Sequence, residues 1–283
     1  MLLERRTAWP SHIDEPARLP EPLNDASAVV TFIGHATFLV QTAAGNILTD
    51  PMYSVRAGPP LFGPVRVRRP AVRFDDLPSI SLVLLSHNHY DHCDLRTLRM
   101  LAERFDPIVI TPLGNATLVR RAGITRVEEL DWWEHAATAA MPVTLTPAHH
   151  FSARTPFDRN RALWGGFMIS AGPLKIFFAG DTAYRPFFAD IRQRLGPIDL
   201  ALLPIGAYEP RWFMHAVHMN PAEAVQAHLD LGAPPSIGMH FGTFQLTTEG
   251  IDEPVQRLSD ACQARNIPPS RFSTLDFGES LRL

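Results

Sequence analysis

The segment Ser86-His87-Asn88-His89-Tyr90-Asp91-His92 places three imidazoles and a carboxylate directly behind the apolar run SISLVLLS. A lone histidine is usually a satisfied core residue. Four such side chains within six residues are hard to satisfy by core hydrogen bonds, and they make a poor solvated face behind a buried strand. Imidazole with carboxylate is a ligand set for a divalent cation; it suits zinc best, and iron or manganese also fit. One such ion takes three or four protein ligands and a hydrolytic site keeps a position for water, so further ligands must come from elsewhere in the chain. Candidates recur at the ends of three strand-like runs: His149 and His150 after VTLTPA, Asp181 after LKIFFAG, and His240 after PSIGM. A divalent ion so held would activate a bound water and polarise a substrate oxygen. There is no G-x-S-x-G elbow, and neither Cys93 nor Cys262 sits in a nucleophile motif, so water is the expected attacking group.

The elements that must position these residues follow from periodicity. AVVTFIG, TFLVQT and NILTD, broken by Gly34 and the turn Ala-Gly-Asn, read as an antiparallel meander. SISLVLLS is a near-continuous apolar run, as expected of a strand buried on both faces, and it feeds the polar loop and a helix near Leu95 to Arg104. MPVTLTPA, LWGGFMIS, LKIFFAGD, DLALLPIGA and PSIGMHFG read as further strands, with helices at PAEAVQAHLDL and near Glu253 to Arg265. Strands and helices thus recur in two halves with no linker between them. Two packed sheets with helices outside bury so many apolar strands, which predicts one αββα domain over residues 28–283. Residues 1–27, rich in proline and charge, are expected to form a surface arm.

Composition narrows the function classes. With 46% hydrophobic and 19% charged residues the 283-residue chain can bury a large core, and a net charge of -3 gives no field for nucleic acid. Two distant cysteines exclude a disulfide framework and fit a reducing, cytoplasmic compartment. No signal peptide and no run of about 18 apolar residues is visible, so no membrane span is expected.

GHATFLV, LTDPMYS, LLSHNHYDHCD, ELDWWE, TPAHHFSAR, LWGGF, FFAGDTAY, LLPIGAYEPRWFM, HMNPAEAV and MHFGTF extend the pattern over roughly residues 28–283. This string resembles the N-acylphosphatidylethanolamine-hydrolysing phospholipase D family within the metallo-β-lactamase superfamily. The resemblance implies the four-layer αββα sandwich and two zinc ions. One ion would be held by His87, His89 and His150 and the other by Asp91, His92 and His240, with Asp181 bridging. Asp91 and Asp181 would also take part directly in catalysis. His150 is preferred to His149 because the family commonly has Gln-His at this pair, and because adjacent residues leaving a strand point apart. His149 then neighbours the ligands, and His35, in the GHAT turn, would orient one of them.

The resemblance further implies hydrolysis of a phosphodiester in an N-acylphosphatidylethanolamine-like phospholipid, and a homodimer. Asn220, Pro221 and Glu223 form a strong helix start, so His218 is expected beside free backbone N–H groups that favour a phosphate. Arg154, with Arg159 and Arg161, is a candidate for the same anion. Arg56, Arg66, Arg68, Arg69 and Arg73 alternate with apolar residues in a stretch that could meet lipid headgroups as a peripheral membrane contact. The alternative activity is a lactonase or other carbonyl-ester hydrolase. A more distant one is a di-iron oxidoreductase, which would need a flavin partner module that this sequence lacks.

Overall fold

Alternation along each strand decides how the first sheet packs. In the computed structural model, which describes residues 6–59, 61–137 and 141–283, strands β1 (Ala28–Gly34), β2 (Thr37–Thr42) and β3 (Gly45–Thr49) form the expected antiparallel meander. Strand β4 (Leu82–Leu84) then joins β3 in parallel, leading through helix α1 (Leu95–Phe105) to β5 (Ile108–Pro112) and through α2 (Ala116–Arg120) to β6 (Val127–Leu130), each parallel to the last. Val30, Phe32, Phe38, Val40, Ile47, Leu82, Leu84 and Ile110 pack toward the second sheet. Their immediate neighbours Ile33, Leu39, Leu48, Val83 and Val109 face the other way, onto Leu98 and Leu101 of α1 and Val119 of α2. Both faces are therefore buried, which is why the sequence reads as unbroken apolar runs.

The second sheet repeats the plan. Strands β7 (His135–Ala137), β8 (Pro142–Thr146), β9 (Gly166–Ala171) and β10 (Leu174–Phe178) are antiparallel. After helix α3 (Phe187–Leu195), β11 (Leu200–Pro204) lies parallel to β10. Helices α4 (Arg211–Met214) and α5 (Pro221–Asp230) lead to β12 (Ser236–Met239), and α6 (Glu253–Ala264) to β13 (Phe272–Ser273), both strands again parallel. Strand β14 (Ser280–Arg282) returns to pair with β1, which closes the first sheet in the order β14-β1-β2-β3-β4-β5-β6. The second has the order β13-β12-β11-β10-β9-β8-β7. The outcome is the expected αββα sandwich.

Three details depart from the periodicity. The ladder in SISLVLLS is only three residues long, because Leu85 and Ser86 already turn into the ligand loop. Strands β5 and β6 and helix α3 are additional elements that the sequence pattern does not mark. Residues 6–27 lie on the surface, tied down by Thr7 N–H to Thr248 O (3.1 Å), Ile13 N–H to Val67 O (2.7 Å) and Trp9 Nε1–H to Glu249 O (2.9 Å). Residues 1–5 of the expected arm lie outside the described residues.

Phe32 couples the sheets to the site. Its ring lies 5.0 Å from Phe38, 5.6 Å from Phe241 and 5.0 Å from Phe277, and Phe241 directly follows the candidate ligand His240. We expect Phe32→Ala to cost about 3–5 kcal/mol in urea unfolding, the usual toll of a large cavity in a close-packed core. A loss under about 1 kcal/mol would show that the cluster repacks and does not hold the end of β12.

Candidate metal centre

The candidate ligands all leave the carboxyl ends of strands that run the same way, which brings loops from both sheets to one edge. Asp50 follows β3, residues 86–92 follow β4, His149 and His150 follow β8, Asp181 follows β10 and His240 follows β12. His35 (φ 57°), Asp50 (φ 33°) and His240 (φ 64°) are held in left-handed conformations that cost non-glycine residues free energy, and such strain gathers at functional sites. Close approach is equally demanding: a Cβ on Gly206 would lie 2.0 Å from His240 O, and one on Gly180 2.8 Å from Ser86 Cβ.

Two groups of ligand atoms converge. His87 Nε2 lies 2.8 Å from His89 Nδ1, which lies 3.2 Å from His150 Nε2. Asp91 Oδ2 lies 3.4 Å from both His92 Nε2 and His240 Nε2, which are 3.2 Å apart. Asp181 Oδ2 belongs to both groups, at 3.1 and 3.2 Å from His92 and His240 and at 3.9 Å from His87 and His150. Atoms about 2.0–2.2 Å from a tetrahedral ion sit about 3.3–3.5 Å from one another, which the second group's 3.2–3.4 Å spacings approach, while His87 and His89 lie closer together. His218 Nε2 also lies 3.9 Å from Asp181 Oδ2. Asp181 Oδ1, His218 Nδ1 and His240 Nδ1 are buried without a hydrogen-bond partner, which marks a centre whose polar groups the protein alone does not satisfy.

Hydrogen bonds behind the histidines fix which nitrogen faces in. His92 Nδ1 lies 2.7 Å from Asp50 Oδ2, and Asp50 also accepts from Ser86 N–H and Ser86 Oγ. Because the Ser86 hydroxyl donates to Asp50, its oxygen accepts from His87 Nδ1 at 2.9 Å. His150 Nδ1 donates to Val217 O at 2.9 Å. Each bond holds Nδ1 and turns Nε2 toward the centre. His35 Nε2 donates to Oδ2 of the candidate ligand Asp91 at 2.9 Å. His149 turns outward, donating from Nδ1 to Ala216 O, while His150 is buried in the cluster.

Asp50 and Ser86 are absent from the residues the sequence singled out. A single aspartate after a strand, even in LTDP, reads as a cap. Two expectations change in the structure. Arg154 does not line the metal-side cleft: it donates to Asn88 O (2.8 Å) and Cys93 O (2.9 Å) and stacks 3.8 Å over Tyr90, bracing the ligand loop from behind. The start of α5 offers no phosphate cradle either, because Asn220 and Glu223 cap each other and Glu223 brings a carboxylate that Arg211 neutralises. Of the arginines in the 54–74 stretch, Arg66 turns inward to Ser54 O and Met52 O, and Arg68 binds Gly242 O and Glu15. The cleft over the centre, about 420 Å³, is walled by Phe151, Phe213, Met214, Val217 and Leu246 and reached by His218 and Arg159.

Electrostatics divide the cluster. Burial lowers His35, His150 and His218 to about 3 and His89 to about 4, and takes His87 well down, so these imidazoles are neutral and ready to bind a cation. Burial also opposes charge on His240 and His92, but Asp181 and Asp91, joined at His92 by Asp50, outweigh it; they raise His240 to about 9 and His92 well above its usual value. Burial works against ionised Asp91 and Asp181, and the surrounding histidines hold both well below the carboxylate range all the same. In the metal-free protein two imidazolium ions thus do part of the work of the cations, and metal uptake should release their protons.

A sign follows for stability. A histidine raised on folding stabilises fully below its unfolded pKa of about 6.5, and that contribution is lost as the pH climbs through its folded value. We expect the melting temperature of chelator-treated protein to fall between pH 6.5 and about 9, the value for His240, while the metal-loaded protein stays level there. Below pH 6.5 the five depressed histidines of the cluster make the metal-free form less stable. A metal-free midpoint that is flat or rises from pH 6.5 to 9 would overturn the two-imidazolium description. For the backing carboxylate, Asp50→Asn should weaken metal binding by about 10–100-fold, as seen by competition with a chromogenic chelator. Unchanged affinity would show that Asp50 does not set the orientation of His92.

Comparison with known proteins accords with this geometry. Residues 45–241 match the family model described as a beta-lactamase superfamily domain. The chain is 37% identical over 270 residues to N-acyl-phosphatidylethanolamine-hydrolyzing phospholipase D 1 of Caenorhabditis elegans, covering 90% of this chain and 76% of that protein. It is 36% identical over 221 residues to the mitochondrial N-acyl-phosphatidylethanolamine-hydrolyzing phospholipase D of Saccharomyces cerevisiae, covering 75% of this chain and 47% of that protein. Among solved structures, a possible metal-dependent hydrolase from Veillonella parvula matches with a TM-score of 0.74 at 18% identity, over 91% of this chain and 100% of that one. The chain therefore belongs to the N-acylphosphatidylethanolamine-hydrolysing phospholipase D family of the metallo-β-lactamase superfamily.

Proposed function

We propose that this protein is a dinuclear zinc hydrolase that cleaves the phosphodiester of N-acylphosphatidylethanolamine-like phospholipids, in the manner of a phospholipase D. The observation that carries the reading is the convergence of two ligand groups on Asp181 Oδ2 at the floor of an apolar cleft. His87, His89 and His150 would hold one ion, Asp91, His92 and His240 the other, and Asp181 both. When bound, the ions would lower the pKa of a water and polarise a phosphoryl oxygen. Imidazole and carboxylate without thiolate suit zinc, and the same set admits iron or manganese.

The chain's own residues divide the remaining work. His218 is neutral at pH 7 and buried, so it offers one N–H to a phosphoryl oxygen without adding charge. His35 and Asp50 hold Asp91 and His92 in place. The apolar walls exclude water and fit an acyl chain. A phospholipid substrate also brings a lipid surface. Among the described residues no helix is long and apolar enough to cross a membrane. We assign the protein a cytoplasmic place at the membrane periphery, with exposed Val55, Leu61 and Phe62 of the 54–74 stretch as the contact. The homodimer is carried by family likeness.

Protein purified without chelator should contain close to two metal ions per chain by elemental analysis, and Asp181→Asn should lose that metal and most turnover while keeping its circular dichroism. Wild-type turnover should be compared on N-acylphosphatidylethanolamine, a soluble phosphodiester, an acyl-homoserine lactone and a β-lactam. The phospholipid should be hydrolysed fastest. Faster hydrolysis of the lactone than of every phosphodiester would replace this reading with the carbonyl-ester one.

A further inference from the structure

We infer that Arg159 makes this cleft selective for substrates whose headgroup carries a second anionic group, a carboxylate close to the scissile phosphate. The inference deepens the phosphodiesterase reading and rests on it for the position of the phosphate. Among the residues lining the cleft, Arg159 is the only lysine or arginine. Its guanidinium carbon lies 4.3 Å over the Phe151 ring. That ring packs 4.4 Å from His89 and 4.9 Å from His150, so the cation stands one aromatic ring away from two candidate ligands.

Arg159 is placed yet unspent. The loop that carries it is closed by Asn160 N–H to Ser152 O (2.8 Å) and Ser152 Oγ–H to Ala162 O (2.6 Å). The adjacent carboxylate is taken: Asp158 Oδ1 accepts from the backbone N–H groups of Arg154 (3.0 Å) and Thr155 (2.7 Å). Of the three arginines in this loop, Arg154 is committed to carbonyls behind the ligand loop, whereas Arg159 has no ion pair or side-chain hydrogen bond among the described residues. Its forked N–H groups therefore remain available, and they match a carboxylate in bidentate fashion.

The scissile phosphate belongs at the ligand atoms, and the guanidinium is set off from them on the ring of Phe151 in the same cleft. A second anion a few bonds from phosphorus bridges that gap. An N-acylated serine headgroup carries such a carboxylate, and an N-acylated ethanolamine headgroup lacks it. The rest of the headgroup is shared, so the pair differs in that carboxylate alone, and the Arg159 variants isolate the part of the difference that the guanidinium supplies.

The test uses metal-loaded protein with N-butanoyl glycerophosphoserine and N-butanoyl glycerophosphoethanolamine, measured by calorimetric binding and by steady-state kinetics. We expect the wild type to bind the serine compound about tenfold more tightly, a difference of about 1.4 kcal/mol. The effect should appear in KM more than in kcat. Arg159→Gln should bring the ratio of affinities to about one with metal content unchanged, and Arg159→Lys should restore part of the preference. Equal affinities in the wild type, or a preference that survives Arg159→Gln, would overturn the inference. Because the preference is read from binding, it stands or falls separately from turnover: if both compounds bind and neither is hydrolysed, only the phosphodiesterase reading fails.

Discussion

Asp181 Oδ2 is shared by two sets of imidazoles, and most of the structure can be understood as the means of keeping it so. Burial opposes charge on this carboxylate, and the five histidine rings around it, two of them held protonated by it and its neighbours, keep it ionised. The cluster persists because its side chains arrive on loops from the ends of β4, β8, β10 and β12, and on the turn after α4, and those strands are fixed by apolar contacts. The sandwich core, with Phe32, Phe167, Phe177 and Phe178 fully buried, offsets the local cost of gathering like groups.

The contacts behind the cluster are as specific as the cluster. Ser86 and Asp50 form a chain of three short hydrogen bonds that orders His87 and His92 together, so these two histidines do not choose their tautomers independently. His150 is fixed by a carbonyl of the segment that also carries His218, and outward-turned His149 holds the carbonyl next to it. The residues at 216–218 are thereby tied to the strand-end pair at 149–150. Trp164 adds a further anchor by donating to Ala148 O, which explains a structural rather than a substrate-facing place for that tryptophan.

What could be read in the sequence follows from how local each feature is. His87, His89, Asp91 and His92 announce themselves because they crowd six residues behind an apolar run. His150, Asp181 and His240 become visible only as strand-end residues that complete a set. Asp50 has no such company: its partners His92 and Ser86 lie 42 and 36 positions away, and nothing nearby in the chain marks it. Arg154 and Arg159 were indistinguishable by composition, since both stand in one polar loop. Only the path of that loop sends one guanidinium behind the ligand segment and the other over Phe151. Strands buried on both faces were legible as apolar runs, but β6 was not, because two glutamates interrupt it, and neither was β5, a short run bounded by Pro107 and Pro112.

The helix start after His218 shows how a correct local reading can carry a wrong functional one. Asn220, Pro221 and Glu223 do begin α5, and the capping box forms as the residue types dictate. Yet the better a helix caps itself, the less it can offer a ligand. Asn220 accepts the N–H of Glu223, the Glu223 carboxylate accepts the N–H of Asn220, and Pro221 has no N–H to give. A cradle for phosphate needs these groups free and no acid beside them. What remains facing the centre is the His218 ring itself, whose Nδ1 has no partner while its backbone N–H and carbonyl are bound by Met214 and Arg211. The main chain of the segment is hydrogen-bonded and its imidazole has an unpartnered nitrogen among the described residues, so the self-capped helix start leaves that ring as the polar group it turns toward the centre.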